Sequence, residues 1–419
     1  FFYFIPLACS MSGLNPSSRG DSMPMSAMRK LIPFAKEASN QGVEVIRLNL
    51  GQPDIRTPEP FWDAVEKFRE EKTNVLEYAP SIGRPELVSS LVKYYKNCNI
   101  NFSADQVVAT IGGCEAILIA FMAVMDVGDD IVVFEPYYSN YAGIAAMAGV
   151  NIVSIPTSVE DGYRLPEKSV IEKAITPKTR AIMYASPGNP TGTVYTREEL
   201  ELLVEVCKEK NIFLMADEVY REFCYDSETI SPSLFHIDGV DEFAILFDSF
   251  SKRYSACGAR VGVVATRNMA VRAALVKVAT VRLSGPVLEQ VGIAACIEDG
   301  VSDYLKEVND AYKERRDLLV SKLNEIPGVV CPVPAGAFYA MASFEGIEAD
   351  DFCKWLLSDF RYNGATVLVS PGSGFYATPG RGTTELRLAY VISMEQLSKA
   401  LDILAHGVIE YRKVKGSKL

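Results

Sequence analysis

Short apolar runs rich in β-branched residues alternate with helical periodicities through most of this chain. QVVAT (106–110) is followed by the helix-like CEAILIAFMAVM, then DIVVFE by NYAGIAAMAG, then NIVSIP. RAIMYA (180–185) precedes the amphipathic TREELELLVEVCKEK, and IFLMADE (212–218), FAILFDS (243–249) and RVGVVAT (260–266) complete the series. Strand-length runs that are apolar at nearly every position must be buried on both faces. The pattern therefore predicts an α/β fold, a mostly parallel sheet sandwiched by helices. Thr196 with Glu199 three residues on predicts a capping box at the start of one helix, each satisfying the other's exposed amide.

From about residue 301 the rhythm changes. One long helical stretch, VSDYLKEVNDAYKERRDLLVSKLNEI, ends at a Pro-Gly pair, and short strands follow in GAFYAMASF, ATVLVSPG and ELRLAYV before a terminal helix. This predicts a smaller α+β domain built from both chain ends, residues 23–60 and 301–419, beside a large domain over 61–300. Residues 1–22 read as an extension outside the fold, ahead of a start at Met11 or Met23. Their apolar opening lacks a basic flank and falls short of the roughly 20 apolar residues that a membrane span needs.

Composition narrows the function classes. The 419 residues are 48% hydrophobic and 23% charged, enough for a large core. A net charge of -11 argues against a nucleic acid or an anionic membrane as partner, so any anionic ligand must be held by local arginines and amides. Nine scattered cysteines contain no C-x-x-C, which points to reduced thiols and a cytoplasmic location. Only His236 and His406 are available, too few for a zinc site or a Ser-His-Asp triad, and no metal is expected.

The carboxyl ends of the predicted strands carry the unusual residues, and that edge is where ligands collect in an open α/β sheet. TIGGCEA (110–116) turns from strand into helix and could present amides to an anion, or be an ordinary tight turn. SPGNPTG (186–192) is a rigid loop that can point the Asn189 carboxamide into a cleft. DEVYREF (217–223) places Asp217 and Tyr220 at the same edge, although an acidic pair there often only caps or salt-bridges. SFSKRYSACGAR (249–260) holds Lys252 and Arg260, and its Ser249-x-x-Lys252 spacing also matches a serine hydrolase. Such hydrolases need a later K-T-G, which is absent, and the YSN at 138–140 lies on the wrong side of the motif.

Taken in order, NPTG, DEVY and SFSK with Arg260 eight residues on resemble the class I/II aminotransferases, pyridoxal-phosphate enzymes of fold type I. LNLGQPD, EYAPSIGRPEL and ELRLAY sit where that family has equivalents, and the resemblance runs from about residue 45 to the C-terminus. It implies that Lys252, locally deprotonated, forms a Schiff base with pyridoxal 5'-phosphate and then moves a proton on the substrate. Asp217 would pair with the pyridine nitrogen, Asn189 and Tyr220 would hydrogen-bond the phenolic oxygen, and Tyr138 would stack on the ring. Ser249, Ser251, Arg260 and the amides of Gly113 and Cys114 would hold the phosphate. Tyr78 resembles the tyrosine that reaches the neighbouring subunit's phosphate, which implies a homodimer. Arg387, with Gly51 and Asn189, would bind the substrate α-carboxylate. An arginine inside the apolar LRLAYV is itself costly to bury without a ligand or partner.

The implied activity is ping-pong transfer of an amino group from an L-amino acid to a 2-oxo acid, with Lys252, Asp217 and Tyr220 as the catalytic side chains. A β-eliminating lyase or a decarboxylase could use the same residues. A DNA-binding regulator of the same fold is disfavoured, because the first sixty residues are too short and insufficiently basic for the extra domain. Two departures from common family patterns are Cys114, where serine, alanine or lysine is frequent, and the absence of tryptophan before Arg260. Aspartate, glutamate and 2-oxoglutarate are the substrates that family frequency suggests. The helix after TIGG offers no cation for a distal carboxylate, leaving Arg56, Arg84 and Arg282 as candidates elsewhere.

Overall fold

The computed structural model describes residues 14–24, 27–71, 75–225 and 231–416. Its centre is a seven-stranded sheet: β1 Val107–Thr110, β2 Asp130–Glu135, β3 Asn151–Pro156, β4 Thr179–Ala185, β5 Phe213–Asp217, β6 Ala244–Ser249 and β7 Gly262–Ala265. The spatial order is β1-β7-β6-β5-β4-β2-β3. Strands β2 to β6 pair in parallel, as the sequence pattern predicts. Alternate residues bury on opposite faces: Leu214 and Ala216 join the core beneath the helices containing Leu87, Leu203 and Ile293. Met215 joins the other core, with Ile117, Ile144 and Leu275. Both faces are thus covered, which explains the apolar runs without alternation.

β7 departs from the parallel pattern and runs antiparallel to both neighbours. Its link to β6 holds only a one-turn helix, Phe250–Arg253, and a 3₁₀ turn, Cys257–Ala259. Such a link can reverse the chain but cannot cross a sheet face, as a parallel return requires. The predicted capping box forms: Thr196 Oγ1 accepts from the Glu199 amide at 3.3 Å, and Glu199 Oε2 accepts from the Thr196 amide at 2.8 Å.

The remaining residues pack around a second core. Glu44–Arg47 pairs in parallel with Ala365–Leu368, and an antiparallel sheet joins Ser370–Pro371, Glu385–Ala389, Tyr339–Phe344 and Val329–Val330 in that order. Helices Ser302–Asn324, Ala349–Ser358 and Met394–Lys415 cover them. Leu31, Ala35, Ile46 and Leu48 share this core with Leu319, Leu368 and Leu404. Leu48 donates its amide to Leu368 O (2.9 Å) and accepts from the Ala389 amide (2.7 Å), delivering Asn49–Gly51 to the cavity described below. Met11 and most of the proposed extension lie outside the described residues; Ser18–Asp21 forms one exposed helical turn.

Candidate active site

A cavity of about 260 Å³ lies where the carboxyl ends of β4, β5 and β6 face the second core. Gly51, Gly113, Cys114, Tyr138, Asn189, Asp217, Tyr220, Ser249, Ser251, Lys252, Arg260 and Arg387 all line it. Tyr78 does not; its side chain is exposed, and the role implied for it requires a second copy of the chain. Tyr141, Tyr339, Met28, Asn49 and Cys257 also line the cavity and were not singled out from sequence.

At one end the chain builds an anion receptor. β1 turns at Gly112 (φ +75°) into the helix Gly112–Val124, whose first amides open toward the cavity. A Cβ on Gly112 would sit 2.5 Å from Arg260 Nη2, so the turn and the guanidinium are in direct contact. Arg260 Nη1 donates to Cys257 O (3.1 Å) and Ser251 Oγ (3.4 Å), and Ser249 Oγ donates to Ser251 Oγ (3.0 Å). A helix N-terminus, a fixed guanidinium and two hydroxyls converge there. The first-turn acid Glu115 is already neutralised by Arg282 Nε at 2.9 Å. That pairing removes Arg282 from the candidates for a substrate side chain. Arg84 pairs with Glu86 and Arg56 is exposed, and neither lines the cavity.

The middle of the cavity is organised by buried hydroxyls. Asp217, at the end of β5, accepts from Tyr141 Oη at 2.5 Å and from the Val219 amide at 3.3 Å. Burial pushes its carboxyl up to about 6, and the bonds from Tyr141 and Val219 pull the other way. Tyr138 packs edge-on against Tyr141 and accepts from Asn140 Nδ2 at 2.7 Å. Tyr220 Oη lies 3.0 Å from Tyr339 Oη, and burial drives the Tyr220 phenol well above its ordinary value. Tyr141 and Tyr339 carried no sequence signal beyond membership of a set of 20 tyrosines.

The raised Asp217 carboxyl has a measurable consequence. A folded-state value of about 6 against an ordinary 3.8 means the folded protein binds the extra proton. The stability linked to this group is fully present below pH 3.8 and is lost as pH rises through about 6. In the cofactor-free protein at pH 7.5, Asp217→Asn is expected to raise stability by about 2–3 kcal/mol. The gain should vanish near pH 4. Urea melts of the two proteins at both pH values check this; a gain equal at both would refute the assignment.

Lys252 sits on the one-turn helix after β6, and its Nζ donates to Gly51 O (2.7 Å) and Cys257 Sγ (3.5 Å). Gly51 has no alternative here, because a Cβ would lie 1.7 Å from Tyr339 Oη. Arg387 is buried between the rings of Tyr339 and Phe375, with its guanidinium carbon 4.7 and 4.9 Å from their centroids. It donates to Asn49 O (2.5 Å) and Asn189 Oδ1 (3.1 Å), while its Nε has no hydrogen-bond partner. Burial lowers its pKa below the ordinary arginine value. A buried guanidinium facing a cavity, with only neutral acceptors around it, is a receptor for an anionic ligand.

This fold brings a lysine amine, a buried carboxyl and two groups of anion-binding donors into one cavity. The chain belongs to the family of class I and II aminotransferases, whose sequence description it matches over residues 43–404. It is 34% identical over 389 residues to a protein of Aquifex aeolicus named "Probable aspartate/prephenate aminotransferase", covering 92% of this chain and 96% of the relative. It is 32% identical over 379 residues to an aspartate aminotransferase of Bacillus subtilis, covering 88% and 92%. Among solved structures, the aspartate aminotransferase from Rhizobium meliloti superposes with a TM-score of 0.86 at 28% identity, covering 95% of this chain and 99% of that one. The protein is an aminotransferase of fold type I. Among the described residues, no helix is long and apolar enough to cross a membrane.

Proposed function

We propose that this aminotransferase binds pyridoxal 5'-phosphate in the cavity and transfers the amino group of an L-amino acid to a 2-oxo acid in two half-reactions. The observation that carries this reading is the convergence in one cavity of an amine, a buried acid and two separate anion receptors. The donor set fits the cofactor. Ser249, Ser251, Arg260 and the amides of Gly113 and Cys114 suit its phosphate, and Asp217 suits a ring cation. When bound, the cofactor supplies an aldehyde that captures amines and a ring that accepts electrons.

Lys252 Nζ holds and returns the proton that leaves the substrate α-carbon. Asp217 is ionised at neutral pH, above its value of about 6, and opposes positive charge on the ring. Tyr220 and Asn189 would donate to the cofactor's phenolic oxygen, with Tyr339 fixing the Tyr220 hydroxyl. Tyr138, which lines the cavity, would cover one face of the ring. Arg387 binds the α-carboxylate as a fork, which orients the α-carbon bonds toward Lys252. The relatives named for aspartate support aspartate as donor; glutamate as donor and 2-oxoglutarate as acceptor are the substrates that the family resemblance implies.

The reading includes a homodimer. Ala79 donates its amide to Ser284 Oγ, and Ser81 Oγ donates to Leu283 O, so two segments lie side by side. Together they expose Val75, Leu76, Tyr78, Val281 and Leu283, apolar surface suited to a second copy. Tyr78 would then extend into the neighbouring anion receptor. The eight described cysteines lie outside any disulfide, which fits a cytoplasmic setting. The test is a screen of amino donors against cofactor-loaded protein at twice the 46.0 kDa chain mass by sedimentation. Aspartate or glutamate should change the bound cofactor's absorbance; no change with any L-amino acid would defeat the proposal.

A further inference from the structure

The residue after Lys252 is Arg253, whose side chain is fully buried and does not line the cavity. Its Nη2 contacts both Asp248 carboxylate oxygens at 3.0 Å, and its Nε lies 3.4 Å from Glu222 Oε1. The guanidinium rests over the Tyr94 ring at 4.4 Å. Asp248 belongs to β6 and immediately precedes Ser249, whose amide donates to Asp248 Oδ1 at 2.7 Å. Glu222 belongs to the loop that follows Asp217 and Tyr220. It accepts from Tyr94 Oη at 2.5 Å and, through its carbonyl, from Asn309 Nδ2 at 2.7 Å. One guanidinium therefore joins the end of β6, just before Ser249 and Lys252, to the loop that follows Asp217 and holds Tyr220.

A buried ion triad is a poor device for stability alone, because desolvation offsets its attraction and apolar replacements often serve equally well. Its distinctive capacity is to hold one geometry, since a misplaced charge at this depth has no water to fall back on. We propose that Arg253 is a positioning residue for transamination, setting Lys252 at its working distance from Asp217 and Tyr220. This rests on the roles given above to those three residues. Backbone hydrogen bonding between β5 and β6 ends at the Glu218 amide, which donates to Phe247 O at 2.9 Å. Beyond it, Arg253 supplies a link through side chains.

The experiment compares cofactor-loaded Arg253→Lys and Arg253→Met with the parent enzyme. Lysine keeps the charge but cannot reach Asp248 and Glu222 together in a planar fork. A displacement on the order of 1 Å is expected to lower kcat roughly 10- to 100-fold in both variants, with KM within about threefold of the parent. The visible circular dichroism of the bound cofactor, which reports ring orientation, should change in parallel. A role in stability alone would lower the melting temperature and leave kcat and dichroism at parent values, and that result would overturn the proposal. Should both variants fail to fold, Glu222→Gln decides. It keeps an acceptor for Tyr94, and is expected to show a smaller kcat loss with a dichroism change; parent values for both would overturn the proposal. Retained activity in Lys252→Ala would instead remove the underlying reading, so the two failures are distinct.

Discussion

Replacing Lys252 by alanine is expected to lower the rate of transamination by at least about four orders of magnitude, because the proposed mechanism uses one amine as both nucleophile and proton carrier. The fold should survive. The lysine lines the cavity and its polar contacts are to Gly51 O and Cys257 Sγ, neither of which holds an element together. Ser249, Ser251 and Arg260 remain to bind phosphate, so cofactor affinity should fall much less than activity. Steady-state rates check the first statement. The second is checked by titrating the variant with pyridoxal 5'-phosphate, and the identity of the lysine by borohydride treatment, after which the parent protein retains cofactor mass and the variant does not. Full activity in the variant, or cofactor fixed at another lysine, would contradict the site.

Arg387→Met is expected to reduce kcat/KM for amino acids by about 10²- to 10⁴-fold, the range for removing one member of a buried charge pair. The parent enzyme should strongly prefer an amino acid over the corresponding amine without the carboxylate. In the variant that preference should collapse, because the proposed contact of Arg387 with the substrate is with that carboxylate alone. Asn49 O and Asn189 lose a donor in Arg387→Met, but the cost of burying a guanidinium without a carboxylate partner is also removed. Stability of the cofactor-free protein is therefore expected to change little, and thermal melts beside the two-substrate rate ratio separate binding from folding. An unchanged ratio would move the carboxylate receptor elsewhere.

The site was legible in sequence to the extent that its chemistry lies in short loops at strand ends. NPTG, DEVY and SFSK each follow an apolar run, and each residue they contributed lines the same cavity. Tyr141 and Tyr339 were hidden because a tyrosine in an apolar segment has the same local pattern whether its hydroxyl meets a carboxylate or simply the core. Cys257 and Met28 were hidden for the same reason. Arg282 looked available for a substrate and is instead neutralised by Glu115, a pairing across more than 160 residues.

By itself the sequence determined the alternation of strand and helix, the parallel sheet with both faces covered, the capping box at Thr196 and the residue types of the site. These depend on periodicity and on contacts within a few residues, where local backbone preference and burial agree. Only the tertiary structure decided the reversed direction of β7, the pairing of Glu44–Arg47 with Ala365–Leu368 and the charge layer centred on Arg253. The reversal follows from the short link after β6, whereas the Glu44–Arg47 pairing and the reach of Arg253 to Glu222 join separate segments, selected by which buried groups can satisfy one another once the sheet has formed. That selection places Gly51 O on Lys252 and Asn49 O on Arg387, joining the two halves of the site.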